Sequence, residues 1–208
     1  MQQCAILIFA KTPDPGAVKT RLIPAIGEDA ATRLYRGLLL RLVDWTCRQT
    51  PYATELWVAP DLGHPLWQQL AAEYGLPVHL QQGDDLGARM GLAVEQALTR
   101  HPHVILVGVD CPALAVSHIE QTARWLNEGA DAVLGPVEDG GYVLLGLKSY
   151  HRRLFQGHRW GGGDVADSTR EAFAELDWDW RELPLLWDLD RPGDLQRLQL
   201  EYPDLWPF

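Results

Sequence analysis

Apolar residues along this chain fall into two alternating patterns. Short continuous runs rich in strand-forming residues occur at 4–10 (CAILIFA), 54–59 (TELWVA), 78–81, 104–109 (VILVGV) and 130–135. Such runs predict strands buried on both faces of a parallel sheet. Between them, apolar residues recur every three or four positions, as an amphipathic helix requires. The clearest case is 28–49. There Leu34, Leu38 and Leu42 form one row, and Tyr35, Leu39 and Val43 form the next. Further helices are predicted at 64–74, which Gly75 and Pro77 end, and at 86–100, 116–128 and 165–176. A last helix is expected over 192–200, with Pro192 at a first helical position where its missing N–H has no partner anyway. Two more strands are expected, at 142–147 (YVLLGL), entered through the turn Asp139-Gly140-Gly141, and at 183–187.

Strand alternates with helix over the first 135 residues. That predicts an α/β fold, a Rossmann-like mixed, mostly parallel sheet flanked by helices. The hairpin pair around Asp139 breaks the alternation and implies an antiparallel insertion. No repeat, low-complexity tract or linker interrupts the pattern, so residues 1–208 read as a single domain of ordinary size.

Composition narrows the function classes. The net charge of −10 argues against nucleic acid and anionic membranes as partners, because phosphate backbones require a basic surface. Cys4, Cys47 and Cys111 are odd in number and far apart, which excludes a disulfide framework or a zinc site and predicts reduced thiols. No secretory leader and no span-length apolar stretch is visible, so the expected location is the cytoplasm. The pattern says nothing of the oligomeric state. One feature stands out against the acidic background. The chain has three lysines, and two of them, Lys11 and Lys19, lie with Arg21 in one short loop.

In open α/β sheets, ligands bind beyond the carboxyl ends of the strands, and four unusual segments follow predicted strands. The first runs from Ala10 through Lys11, Pro13, Gly16, Lys19, Thr20 and Arg21. Its prolines stiffen the loop, Gly16 permits a close backbone approach, and its cations can hold phosphate. A solvated basic loop is the competing reading. A phosphate-binding loop of the GxxxxGK[ST] kind is not, because it needs glycine before the lysine and position 18 is valine. The second segment, GVDCPAL at 108–114, carries Asp110 at the end of the most apolar strand, a natural ligand for Mg²⁺ or Mn²⁺. A capping or turn aspartate is the alternative. The third, GPVEDGGY at 135–142, offers Asp139 as a base, a sugar-hydroxyl ligand or an aid to metal binding. Gly140, Gly141 and Tyr142 would lie beside the substrate, although Asp-Gly also suits a plain hairpin turn. The fourth, DLDRPGDL at 188–195, offers Asp190 as a second metal ligand or as a helix cap. Gly87 and Arg89 at a helix start can also face an anion, and Trp160 before Gly161-Gly162-Gly163 can belong to a flap over the acceptor.

Taken together these segments resemble the DUF2064 family of glycosyltransferase-like proteins, described as GT-A-type transferases and linked in some members to arsenosugar biosynthesis. The similarity covers nearly the whole chain, in the pieces at 9–22, 85–90, 108–114, 135–147 and 188–195. The first piece also looks like the lysine-bearing loop of 2-phospholactate guanylyltransferase. Wider relatives by fold include molybdenum-cofactor guanylyltransferase and sugar-phosphate nucleotidyltransferases. The resemblance implies the nucleotide-diphospho-sugar transferase (GT-A-like) fold. It places Asp110 where the superfamily holds its central metal-binding aspartate, and Asp190 near a late second ligand. The chain departs from relatives at 161–163, where they often carry serine or threonine after the tryptophan.

The resulting expectation is a metal-dependent nucleotide-sugar transferase acting on a nucleotide sugar and a small-molecule acceptor. Lys19 would serve at the leaving diphosphate and Asp139 as the acceptor's base. Nucleotidyl transfer from an NTP to a phosphorylated substrate, with pyrophosphate release, and a non-catalytic nucleotide-binding module are the alternatives.

Overall fold

The computed structural model describes residues 4–206, and these carry a seven-stranded sheet in the order β3-β2-β1-β4-β6-β5-β7. The central strand β1 (Cys4–Lys11) pairs in parallel with β2 (Ala53–Ala59) on one side and β4 (His103–Gly108) on the other. Beyond β2 lies β3 (Val78–Leu80), also parallel. On the other flank β6 (Tyr142–Leu147) runs antiparallel between β4 and β5 (Ala132–Pro136). The short β7 (Trp180–Glu182) pairs in parallel with β5 at the edge.

Alternation along β1 divides the core. Cys4, Ile6 and Ile8 face one side, where they pack with α2 (Glu28–Gln49), α3 (Pro65–Tyr74), α5 (Val116–Asn127) and α7 (Asp194–Glu201). Ala5 and Leu7 face the other side, beneath α4 (Leu86–Leu98) and α6 (Val165–Glu175). Each large apolar side chain removed from water contributes about 1.5–3 kcal/mol. Both rows foreseen on α2 are buried, which pins that helix along its length. Helix ends follow local chemistry. The Asp85 carboxylate caps α4 by accepting from the Ala88 N–H at 2.7 Å, and Gly75 ends α3 in the left-handed region at φ +66°.

Two expected elements are displaced. The late strand foreseen at 183–187 forms instead at 180–182, because Pro184 has no N–H to give a ladder. Beyond β7 the segment keeps one isolated bridge, Leu186 to Val137. The last helix starts at Asp194 rather than Pro192. The Asp194 carboxylate accepts from the N–H groups of Asp190 and Arg191, at 3.0 and 2.7 Å, and holds 190–193 as a turn. A four-residue helix, α1 (Ile23–Ile26), was not foreseen. No described helix is long and apolar enough to cross a membrane.

This topology decides where the chemistry converges. Strands β1 to β4 are parallel, and β5 and β7 run the same way, so all six end at one edge of the sheet. The β5–β6 hairpin tip lies at that edge too. The loop after β1, Asp110 after β4, Asp139 at the hairpin tip and the segment after β7 are therefore neighbours, although they are remote in sequence.

Candidate active site

The loop that follows β1 is anchored at both ends. At its start the Lys11 N–H donates to the Tyr35 hydroxyl at 2.7 Å, and the N–H and hydroxyl of Thr12 both donate to the Ala59 carbonyl, at 2.8 and 3.1 Å. At its far end Val18 and Leu22 are buried in the core. Between these anchors Lys19 adopts φ +48°, a conformation that costs a non-glycine residue on the order of 1–2 kcal/mol. Its side chain is directed inward. The ammonium pairs with the Asp110 carboxylate and donates to the Leu189 carbonyl. The lysine side chain is only 4% exposed, whereas the aspartate is 57% exposed. Lys19 thus has its stem packed and its charge at the wall of a cleft.

The cleft has a volume of about 490 Å³. Lys11, Lys19, Thr20 and Arg21 line it together with Asp110 and Asp190. Gln81 and Tyr35 contribute further polar wall, and Phe9, Ala10, Leu86, Met90 and Leu106 supply apolar surface. A smaller recess of about 140 Å³ shares Asp110 and Tyr142 with the cleft and adds Asp139, Gly141 and Asp188. A wall that is cationic in one part and apolar in another suits a molecule with a charged group and a flat apolar one.

Negative charge concentrates around the recess. The Asp188 carboxyl is pushed up to about 6, first by burial and then by Asp139, Asp190 and Asp110. A carboxylate crowded in this way favours any cation that can enter. Among the described residues no group of three or more His, Cys, Asp or Glu side chains stands arranged to hold a metal ion. Mg²⁺, however, uses one or two carboxylates and completes its shell with water and substrate phosphate. Asp110 and Asp188 line one recess and have the carboxylate chemistry for it, with the Asp110 carboxylate holding Lys19 as its cation in this structure. The Leu189 N–H donates to the Asp110 carbonyl at 2.8 Å and fixes the two segments to each other. Asp190 is engaged differently, in an ion pair with Arg21.

Of the remaining sequence candidates, Asp139, Gly141 and Tyr142 line the recess, and the others lie around it or away from it. Gly16, at φ +78°, is exposed and its nearest side chain is Glu28, while Pro13 is buried. The Asp139 carboxylate accepts from the Gly141 N–H at 2.8 Å, which shapes the hairpin tip. Gly140 lies so close to the glycine loop that a Cβ there would stand 2.0 Å from the Gly163 carbonyl oxygen. Arg89 donates to the Gly83 carbonyl at 3.0 Å. Trp160 packs edge-on to Tyr142 and covers the start of α4.

Gly87 lies under that cover, and alanine there is expected to destabilise the fold. Its Cβ would stand 2.1 Å from the Phe155 carbonyl oxygen and 2.5 Å from the Trp160 indole nitrogen. Alanine gains about 1 kcal/mol in helix propensity. Overpacking against backbone, which no rotamer change relieves, costs about 1–3 kcal/mol. The net result is a lower melting temperature and faster proteolysis of the 155–163 loop. A Gly87→Ala chain as stable as wild type would show that this contact is slack.

Two residues at this site escape a sequence reading. Asp188 has a faint signal, since buried Trp187 and Leu189 flank it and put it on the same side as Asp190. Tyr35 has none, because it sits in the apolar stripe of α2 and reads as core.

Residues 42–162 match the family described as uncharacterized protein conserved in bacteria (DUF2064). No curated protein matches the chain. Among solved structures, a protein from Desulfovibrio desulfuricans G20, provisionally described as a nucleotide-diphospho-sugar transferase, is 31% identical. Its TM-score is 0.87, with 97% of this chain and 90% of that chain covered. The 4-diphosphocytidyl-2C-methyl-D-erythritol synthase of Anaerococcus prevotii DSM 20548 is 11% identical, with a TM-score of 0.58 over 97% of this chain and 96% of that one. A CMP:2-keto-3-deoxy-manno-octonic acid synthetase complexed with CTP is 12% identical, with a TM-score of 0.54 over 97% and 99%. At such identities the last two show a shared fold alone, the same fold as that of the 31%-identical protein described as a nucleotide-diphospho-sugar transferase.

Proposed function

The chain belongs to the DUF2064 family, and from that premise we propose that it is a nucleotide-binding transferase that moves a sugar from a nucleoside-diphosphate donor to a small-molecule acceptor with the help of Mg²⁺ or Mn²⁺. One observation carries the reading. Lys19 and Asp110, 91 positions apart in the chain, meet as an ion pair on the wall of a single cleft that Lys11 and Arg21 also line. Lys19 and Arg21 face Asp110 and Asp190, while Lys11 forms no ion pair among the described residues, so the cationic side of the wall has charge left for an anionic ligand.

In glycosyl transfer the bond between the anomeric carbon and the diphosphate oxygen breaks as the acceptor hydroxyl attacks. Charge accumulates on the leaving diphosphate. Lys19 is already oriented by its bonds to Asp110 and Leu189, so it offsets that charge with little reorganisation. Lys11 and Arg21 add to the same field. Asp139 is the base we assign to the acceptor hydroxyl, because it reaches the recess from the hairpin tip. Asp110 and Asp188 would hold the metal ion, which when bound supplies Lewis-acid stabilisation of the diphosphate.

Nucleotidyl transfer is the second reading, favoured by the number of cations, which suits a triphosphate as well as a diphosphate. Incubation with a panel of nucleotide sugars and NTPs decides the matter. Metal-dependent release of a nucleoside diphosphate, abolished by EDTA, is the expected outcome. Pyrophosphate release would replace glycosyl with nucleotidyl transfer. Tight binding with no product would reduce the protein to a binding module.

A further inference from the structure

We propose that the hydroxyl of Tyr35 binds a phosphoryl oxygen of the nucleotide directly, as a neutral donor among the charged ones. The proposal rests on the nucleotide reading above and extends it to a residue on the helix behind the loop. Tyr35 projects from α2, is buried, and forms part of the cleft wall with Lys11, Lys19 and Asp110. A phenolic hydroxyl can give one hydrogen bond and accept others. The accepting side is used, since the Lys11 N–H donates to it at 2.7 Å. Its own hydrogen has no acceptor among the described residues. A buried donor with no partner is costly, and one that faces a cleft obtains its partner from what the cleft holds.

The chemistry of that partner follows from its surroundings. Burial, and then the nearby Asp110 charge, hold the phenol above its ordinary pKa, so it stays protonated and remains a donor. Lys11, Lys19 and Arg21 share the cleft wall with it, and such cations suit a phosphate oxygen better than a sugar or a base. Tyr35 would then link two things in one line: the Lys11 N–H, which fixes the start of the loop, and the phosphate that the loop encloses. Such coupling lets an uncharged side chain report phosphate occupancy to the loop backbone.

The test pairs CTP, UTP, GTP and ATP, each in Mg²⁺, with the corresponding nucleosides, on wild type and Tyr35→Phe. Phenylalanine keeps the ring packing and removes both the donor and the oxygen that accepts from the Lys11 N–H. Affinity for the tightest-binding nucleotide is expected to fall about tenfold, the loss of one hydrogen bond to a charged oxygen, while nucleoside affinity is unchanged. An equal loss for nucleotide and nucleoside would show that Tyr35 does not act at the phosphate, and would overturn the proposal. So would an unchanged nucleotide affinity. Wild type that binds none of the four nucleotides would overturn the nucleotide reading itself, and this assignment with it. A second measurement avoids dependence on the variant's folding. In wild type carrying 3-fluorotyrosine, the ¹⁹F resonance of Tyr35 should shift with nucleotide and not with nucleoside; no selective shift counts against the contact.

Discussion

Lys19→Ala is expected to lower turnover by about 10²–10³-fold, the range seen when one preorganised donor to a developing anion is removed. Nucleotide affinity should weaken by about 1–3 kcal/mol, as for a charge-assisted hydrogen bond. Stability should change far less. Asp110 is largely exposed, so its loss of an ion-pair partner is worth about 1 kcal/mol or less, and the packed lysine stem adds the loss of its own contacts. The backbone allows a sharper version of the experiment. Because position 19 adopts φ +48°, alanine inherits the strain and glycine does not. Lys19→Gly should therefore melt above Lys19→Ala and be equally inactive. Calorimetry and steady-state kinetics on the pair would separate the conformational role of the site from its charge. Turnover of either variant within threefold of wild type would remove Lys19 from the mechanism.

The second large effect belongs to Asp188. Asp188→Asn should abolish metal-dependent turnover and make the protein more stable. The folded-state carboxyl titrates at about 6, above its ordinary value of 3.8. A carboxyl raised in the folded state binds its proton more tightly there than in the unfolded chain. Its charged form therefore opposes folding in full above pH 6. The penalty fades as pH falls from 6 toward 3.8, and below that it is gone. Discounted for partial solvation, the opposing energy is about 1–2 kcal/mol at pH 7.5. For a chain of this length that corresponds to roughly 3–6 °C in melting temperature. The gap between Asp188→Asn and wild type should close when both are melted near pH 4. Mg²⁺ should raise the melting temperature of wild type and leave the variant unmoved. Equal melting curves at pH 7.5, or an undiminished Mg²⁺ response in the variant, would refute the assignment. A site that sacrifices stability for a concentrated charge is a familiar compromise in enzymes.

The sequence disclosed different layers of this protein unequally. Strands β1 and β4 were plain because burial on both faces leaves an unbroken apolar run, and α2 because its two rows keep a helical spacing. The late strand misled because Leu183, Leu185 and Leu186 look like a strand while Pro184 prevents one, and Leu185 proves to be exposed. At the site, the loop cations and Asp110 were legible from charge scarcity and strand-end position. Asp188 was not, because its significance lies in proximity to Asp110 and Asp139, and the sheet alone creates that proximity. Tyr35 escaped for the opposite reason. An aromatic residue in a buried stripe has the same pattern whether its polar tip is idle or employed. The likeness of Gly87 and Arg89 to a helix-start anion site reflects a true helix start, but Trp160 covers the first residue and Gly83 occupies the second.

The reversal of β6 between β4 and β5 has a consequence for how activity emerges during synthesis. By folding the hairpin tip back to the common edge, it leaves one position to be filled by the segment after β7, which supplies the carbonyl that Lys19 grips 170 residues downstream. A ribosome-bound chain that has released only its first six strands possesses the loop cations, Asp110 and Asp139, yet lacks Asp190, the partner of Arg21, and the Leu189 carbonyl that braces Lys19. The proposed site is thus completed by the segment after β7, and translation products that stop short of it are expected to lack its function even where most of the sheet had formed.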